Sequence, residues 1–244
     1  MIAIQTIDLT KKYKEKIAVN SLNLTIEQGE LFALLGLNGA GKTTTIKMLS
    51  CLTKPTNGDA MILGNSVISN PMKVKELINV SPQETAVAPS LTVRENLEFI
   101  ARIYGNDKKR SKQKVEDIIS SLELSSIAEE KAKVLSGGWQ RRLSIAMALI
   151  SEPQILFLDE PTLGFDVIAR RELWNVIKRL KSKITIILTT HYLEEAESLS
   201  DRIGVMAKGE LRAIGTPNEL ITQTNAEKFE DAFIALAGEG EIRI

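Results

Sequence analysis

Residues 36–43 read Gly36-Leu37-Asn38-Gly39-Ala40-Gly41-Lys42-Thr43. The spacing G-x-x-x-x-G-K-[ST] is that of a loop that binds a nucleoside triphosphate. Glycines let successive backbone N–H groups turn inward around phosphate oxygens, and a helix starting at the loop adds the partial positive charge of its N-terminus. In this reading Lys42 reaches the β- and γ-phosphates, Thr43 supplies a hydroxyl to Mg²⁺, and Thr44 contacts phosphate. A second group, Asp159-Glu160, closes the apolar run Ile155-Leu156-Phe157-Leu158. Asp159 is placed to hold Mg²⁺ through water, and Glu160 to polarise the water that attacks the γ-phosphate. Two acids in a solvated turn are the alternative, and the phosphate loop upstream weighs against it. The pair favours hydrolysis over transfer to a second substrate.

A third group is Leu135-Ser136-Gly137-Gly138-Trp139-Gln140-Arg141-Arg142. A serine and two glycines at a helix start make another anion site. A chain that already has one phosphate loop has a use for a second if it serves another chain's nucleotide; a plain Ser/Gly helix cap is the other reading.

The elements that must position these groups alternate between strand and helix. Leu31 to Leu35 is a compact apolar run ending at Gly36, as in a buried strand, and helical character runs from near Gly41 to Leu52. Ile2 to Leu9, Leu22 to Ile26, Ala60 to Leu63, Leu77 to Val80, Ile155 to Leu158 and Ile184 to Leu188 read as strands, with a hairpin around Lys208-Gly209. Thr92-Val93-Arg94-Glu95 is a capping box opening a helix to about Tyr104. The basic run Lys108 to Lys114 reads as a solvated face or loop; Val115 to Leu122 and Gln140 to Ile150 read as helical. The expected fold is α/β, a P-loop NTPase core with a mainly parallel sheet, an antiparallel β subdomain and an inserted helical subdomain. The expected organisation is one domain over 1–224, with core and antiparallel part in 1–84 and 151–224, the helical part in 85–150, and a short C-terminal extension, 225–244.

Composition excludes several chemistries. The 244 residues carry 31 basic and 31 acidic side chains, so no overall charge draws the chain to nucleic acid. One Cys and one His can build neither an internal disulfide nor a zinc site. No signal peptide is apparent, and no apolar run approaches the roughly 18 residues of a membrane span, so a membrane role is expected to come through a partner.

Together these motifs resemble the nucleotide-binding subunits of ATP-binding cassette (ABC) transporters, and the tail Phe229 to Leu236 resembles that of bacterial exporter subunits. The resemblance spans nearly the whole chain and adds Gln83 after Ser81-Pro82, Asp166 after Pro161-Thr162-Leu163-Gly164-Phe165, His191 after Thr189-Thr190, and Tyr13 in the opening segment. It implies that Tyr13 stacks on adenine, Gln83 contacts Mg²⁺ or the attacking water, and His191 hydrogen-bonds the γ-phosphate. It further implies that Asp166 crosses a dimer interface, and that Ser136, Gly137 and Gly138 close over ATP held by a second nucleotide-binding subunit. ATP and Mg²⁺ are the implied ligands. An integral membrane permease is the implied partner, and the cytoplasmic face of the cell membrane the implied location. Val87 to Leu91 is the implied edge of the permease groove, and drugs, antibiotics, lipids or ions the implied export. Trp139 departs from the Gln common in the family; packing against a neighbouring helix and contact with a ribose are its two readings. The alternative function is a soluble cassette ATPase of DNA repair or translation. Such members carry coiled-coil insertions, zinc modules or paired cassettes, and this sequence shows none of them.

Overall fold

The strand β4 (Leu31–Gly36) is apolar throughout because both its faces are covered. Leu31, Ala33 and Leu35 point into one hydrophobic core, while Phe32 and Leu34 point into another. This is the organising fact of the fold: one central sheet separates two cores. A computed structural model describes residues 1–238; positions 239–244 of the expected C-terminal extension lie outside them.

Before β4 come β1 (Ile2–Tyr13), β2 (Lys16–Leu22) and β3 (Thr25–Glu27). After it come α1 (Lys42–Leu49), β5 (Asn57–Ile62), β6 (Asn65–Ser66), α2 (Pro71–Leu77) and β7 (Ile78–Ser81). Three helices follow, α3 (Val93–Ile103), α4 (Lys108–Ser121) and α5 (Gly137–Leu149), and then β8 (Ile155–Asp159), α6 (Val167–Leu180), β9 (Thr185–Thr190) and α7 (Leu193–Leu199). The described chain closes with β10 (Arg202–Ala207), β11 (Glu210–Gly215), α8 (Pro217–Thr224) and α9 (Phe229–Ala237).

The central sheet has the order β11-β10-β4-β9-β8-β7. All neighbours from β10 to β7 are parallel, and β11 is antiparallel at the edge. A second sheet of β2-β1-β5-β6, with β3 on β1, is antiparallel. Helix α1 contributes Ile46, Met48 and Leu49 to the core between the sheets, against Ile4, Ile62 and Phe157. Helices α3 to α7 and α9 cover the other face, where Leu156 and Leu158 meet Leu143, Ile177 and Phe233. These layers match the expected fold class.

Parallel order has a direct consequence for function. The carboxyl ends of β4, β7, β8 and β9 all lie at one edge of the sheet, where ligands of α/β proteins bind. Those four ends lead into the loops carrying Gly36 to Gly41, Gln83, Glu160 and His191. Register brings them side by side: Leu35 pairs with Thr190, and Thr189 with Asp159.

The structure corrects several expectations. The strand expected over Leu22 to Ile26 is broken at Asn23-Leu24. There the Asn23 amide oxygen accepts from Asp8 N at 2.9 Å, its nitrogen donates to the Asp8 carboxylate at 2.9 Å, and the side chain takes the place of a ladder bond. Strand β1 runs on to Tyr13, pairing with Lys16. The basic run at Lys108 is helix rather than loop, because Asp107 caps it by accepting from Arg110 N at 2.8 Å. Helices α2, α7 and α8 are additional. Two carried readable starts, Pro71 at the first position of α2 and the Thr216/Glu219 capping box of α8.

Candidate functional site

The glycine-rich loop is built as its sequence requires. Gly39 and Gly41 have φ of 83° and 107°, the left-handed region. A Cβ on Gly41 would stand 2.5 Å from the Ala18 carbonyl of β2, so the loop passes against the antiparallel sheet too closely for any side chain. Lys42 is buried at the start of α1, and its Nζ donates to Gly36 O at 2.8 Å and Leu37 O at 3.4 Å. The lysine therefore closes the loop on itself while its ammonium stays at the loop's centre.

One carboxylate meets this ammonium and a second lies beside it on Thr43. Glu160 lies 3.2 Å from Lys42 Nζ through Oε1 and 2.8 Å from His191 Nδ1 through Oε2. An ionised carboxylate only accepts, which assigns the hydrogen to Nδ1 in this contact. Asp159, one residue earlier, accepts through Oδ1 from Thr43 Oγ1 at 3.0 Å and Thr189 Oγ1 at 2.6 Å. Glu160 itself has φ of 47°. A left-handed glutamate stores on the order of 1–3 kcal/mol of strain. It is held there by its own N–H, which donates to Thr189 O at 3.2 Å and Oγ1 at 3.0 Å. The strained turn separates the directions of neighbouring carboxylates, Asp159 toward Thr43 and Glu160 toward Lys42 and His191.

A cleft of about 550 Å³ opens over these groups. Its lining includes Asn38, Gly39, Ala40, Gly41, Lys42, Thr43, Thr44, Gln83, Glu160 and His191, with Tyr13 on its wall. Tyr13 is 45% exposed, which leaves its ring free to stack; Lys11 Nζ lies 5.0 Å from the ring centre. Gly36 lies beneath the loop as the last residue of β4, and Asp159 is buried below the cleft floor. The expected site residues from the loop, β7, β8 and β9 are thus brought together.

Ser136, Gly137, Gly138 and Asp166 are not among the residues lining that cleft. Ser136 caps α5, its Oγ accepting from Trp139 N at 3.5 Å. Asp166 caps α6, its Oδ1 accepting from Ile168 N and Ala169 N, both at 2.9 Å. The two caps are neighbours: a Cβ on Gly138 would lie 3.8 Å from both Phe165 and Ala169. A Cβ on Gly137 would meet nothing within 4 Å. Trp139 takes the packing reading, half-buried against the core with the Arg142 guanidinium 4.5 Å over its ring.

Several residues that hold this arrangement drew no assignment from sequence. Arg141 is 3% exposed, and its guanidinium donates to the carbonyls of Asp159 at 2.6 Å, Pro161 at 3.1 Å, Gln83 at 3.4 Å, and Pro82. It joins the Gln83 loop, the Glu160 turn and the helix that starts at Gly137. Burial lowers its pKa to about 10, against the pull of Asp159, Glu195 and Glu160. Its place in the third motif was the available signal; its burial was not readable. Thr189, Lys16, Ala18 and Leu163 carry no local signal at all.

Comparison with known proteins agrees with this geometry. The family model described as ABC transporter matches residues 19–163. The chain belongs to the ABC transporter family. This family member is 41% identical to the human phospholipid-transporting ATPase ABCA3 over 83% of its own length, and spans 12% of that relative. Two Arabidopsis ABC transporter A family members are spanned to 23%. It is 37% identical to the linearmycin resistance ATP-binding protein LnrL of Bacillus subtilis, over 92% of its own chain and 72% of LnrL. Among solved structures, the ATP-binding cassette MJ0796, a dimer in a post-hydrolysis state bound to ADP and Pi, superposes with a TM-score of 0.78 at 27% identity. That match covers 87% of this ABC chain and 98% of the other.

Proposed function

We propose that this chain binds and hydrolyses ATP as a nucleotide-binding subunit that drives a separate membrane permease. The observation that carries the proposal is that Glu160 lies 3.2 Å from Lys42 and 2.8 Å from His191 on the floor of the glycine-loop cleft. Lys42 and the loop N–H groups bind the phosphates, and Tyr13 stacks on the base. Glu160 is the general base: its carboxylate takes a proton from water, and His191 orients it through Nδ1–H and hydrogen-bonds the γ-phosphate in its imidazolium form. Thr43 and Asp159 offer two hard oxygens 3.0 Å apart at the loop's edge, a donor set that fits Mg²⁺. When bound, the ion neutralises phosphate charge. Gln83, on the exposed loop after β7, faces the same cleft and is assigned to the ion or the attacking water.

The second anion site fits a head-to-tail pair around two ATP. Ser136, Gly137 and Gly138 sit at an α5 N-terminus that their own chain does not use for the cleft, and Gly137 leaves open space where another surface can approach. Asp166 stands beside them to cross to the partner. A cassette found as a dimer with ADP and Pi supports this arrangement. No helix among the described residues is long and apolar enough to cross a membrane; the likeness to ATP-binding proteins of ABC transporters supports assigning the transport path to a permease at the cytoplasmic face. The names of the relatives, phospholipid-transporting and linearmycin resistance, support export of lipids or antibiotics.

The test is Glu160→Gln. General-base loss is expected to lower kcat by about 10²–10⁴-fold while ATP binding persists and an ATP-dependent dimer accumulates in light scattering. Turnover at the wild-type rate removes the general-base assignment.

A further inference from the structure

Glu195, on α7, is fully buried, yet it takes no part in the chemistry proposed above. Its Oε1 accepts from Thr162 Oγ1 at 2.8 Å and from Trp174 Nε1 at 3.0 Å, and Thr190 neighbours the same carboxyl. Its Oε2 has no hydrogen-bond partner. Burying a carboxyl so incompletely satisfied is costly, and such a group calls for an explanation.

The partners supply one. Thr162 is two residues beyond Glu160, across the rigid Pro161. Thr190 immediately precedes His191. Trp174 belongs to α6, the helix capped by Asp166. One buried carboxyl therefore touches all three segments that carry Glu160, His191 and Asp166. We propose that Glu195 is a positioning residue that fixes the Glu160 turn against the His191 strand end and α6, and so sets the 2.8 Å Glu160–His191 contact. The proposal rests on the ATPase reading given above.

Charged groups lie around it. Lys42 and Arg141 are the buried cations of this region, and Asp159 and Glu160 the buried anions facing them. Burial raises the Glu195 pKa, the nearby Glu160 adding to the effect, while the neighbouring Thr190 hydroxyl and the bonds from Thr162 and Trp174 oppose it. Whether neutral or ionised, Oε1 accepts the same two bonds from Thr162 and Trp174. An amide in its place keeps the same accepting oxygen.

The test is steady-state hydrolysis of MgATP by the full chain, with ATP binding measured separately. Glu195→Ala is expected to lower kcat by about tenfold or more, tenfold being a barrier change of about 1.4 kcal/mol, with KM for ATP and nucleotide Kd within about twofold. Glu195→Gln is expected to restore kcat to within about threefold of wild type. A merely structural role would lower the melting temperature without this split of kcat from KM. Thr162→Val removes one arm of the tie with little change of shape; it is expected to lower kcat by about threefold, and to add nothing in the Glu195→Ala background. Wild-type kcat in Glu195→Ala overturns the proposal, and so does equal damage in Glu195→Gln and Glu195→Ala. If Glu195→Ala does not fold, wild-type kcat in Thr162→Val overturns it alone. Glu160→Gln, run alongside, separates the two readings: activity there removes the general base itself, whereas an inactive Glu160→Gln with an active Glu195→Ala removes only the positioning role.

Discussion

The glycine-loop cleft and the Ser136–Asp166 surface use the same device, a helix N-terminus with glycines before or within it, to different ends. At the cleft floor the charged groups have partners inside the chain: Lys42 has Glu160, Glu160 has His191, and Asp159 has Thr43 and Thr189. At the other surface Ser136 and Asp166 do no more within the chain than cap α5 and α6, and Gly137 faces open space. The groups of the first region hold one another within one chain. The second has glycines that its own packing does not demand, which is what a surface shaped by a second molecule looks like. Arg141 connects them, since it extends from α5 to the Gln83 loop and the Glu160 turn. One planar guanidinium thus ties α5 to the carbonyls of the cleft floor.

The sharpest way to break the contrast is to damage each region separately. Lys42→Ala removes a charged phosphate ligand and is expected to lower ATP turnover by about 10³-fold; turnover near wild type would dismiss the cleft as the nucleotide site. Gly137→Glu alters only the other surface. Its own chain has room for the side chain, and a carboxylate at a helix start is tolerated, so the melting temperature is expected to hold within a few degrees. ATP-dependent dimerisation is expected to be lost and turnover to fall by about 10²-fold. Mixing the two variants sharpens the comparison further. A mixed pair contains one composite site with an intact loop from one chain and an intact Gly137 from the other, so activity should rise above that of either variant alone. No gain on mixing would mean that both regions serve the same chain's nucleotide.

The smallest expected effect concerns stability. Because Glu195 is raised above the ordinary carboxylate value, the folded chain keeps a proton there that the unfolded chain releases. Its contribution is full below the ordinary value and is lost as pH rises toward the raised one. Glu195→Gln does not titrate. Its melting temperature relative to wild type is therefore expected to climb as pH increases from the acid side; a constant difference across pH would mean that the fold does not raise the Glu195 pKa.

The cleft was largely legible in sequence because its parts are local. A loop with Lys-Thr at its end, an acidic pair after an apolar strand and a histidine after Thr189-Thr190 each carry their residue types and their strand context within a few positions. The long-range supports were not legible. Arg141 works through carbonyls 18 to 59 residues away, and carbonyls have no identity in a sequence. Glu195 lies among the ordinary acids of Leu193-Glu194-Glu195-Ala196-Glu197, where nothing distinguishes the buried one. The helix α7 that buries it was missed because it is short and has no side-chain cap.

Sequence by itself determined the phosphate loop, the alternation of strands and helices, and the order of the acidic pair and the histidine, since hydrophobic periodicity and glycine spacing are local properties. Only the tertiary structure decided which residues stand over the cleft together, that Glu160 is held in a left-handed turn by Thr189, and that the α5 and α6 starts face away from it. These depend on strand order. With β4 placed between β10 and β9, and β8 beyond β9, residues more than a hundred positions apart meet at one sheet edge, and no local pattern records that order.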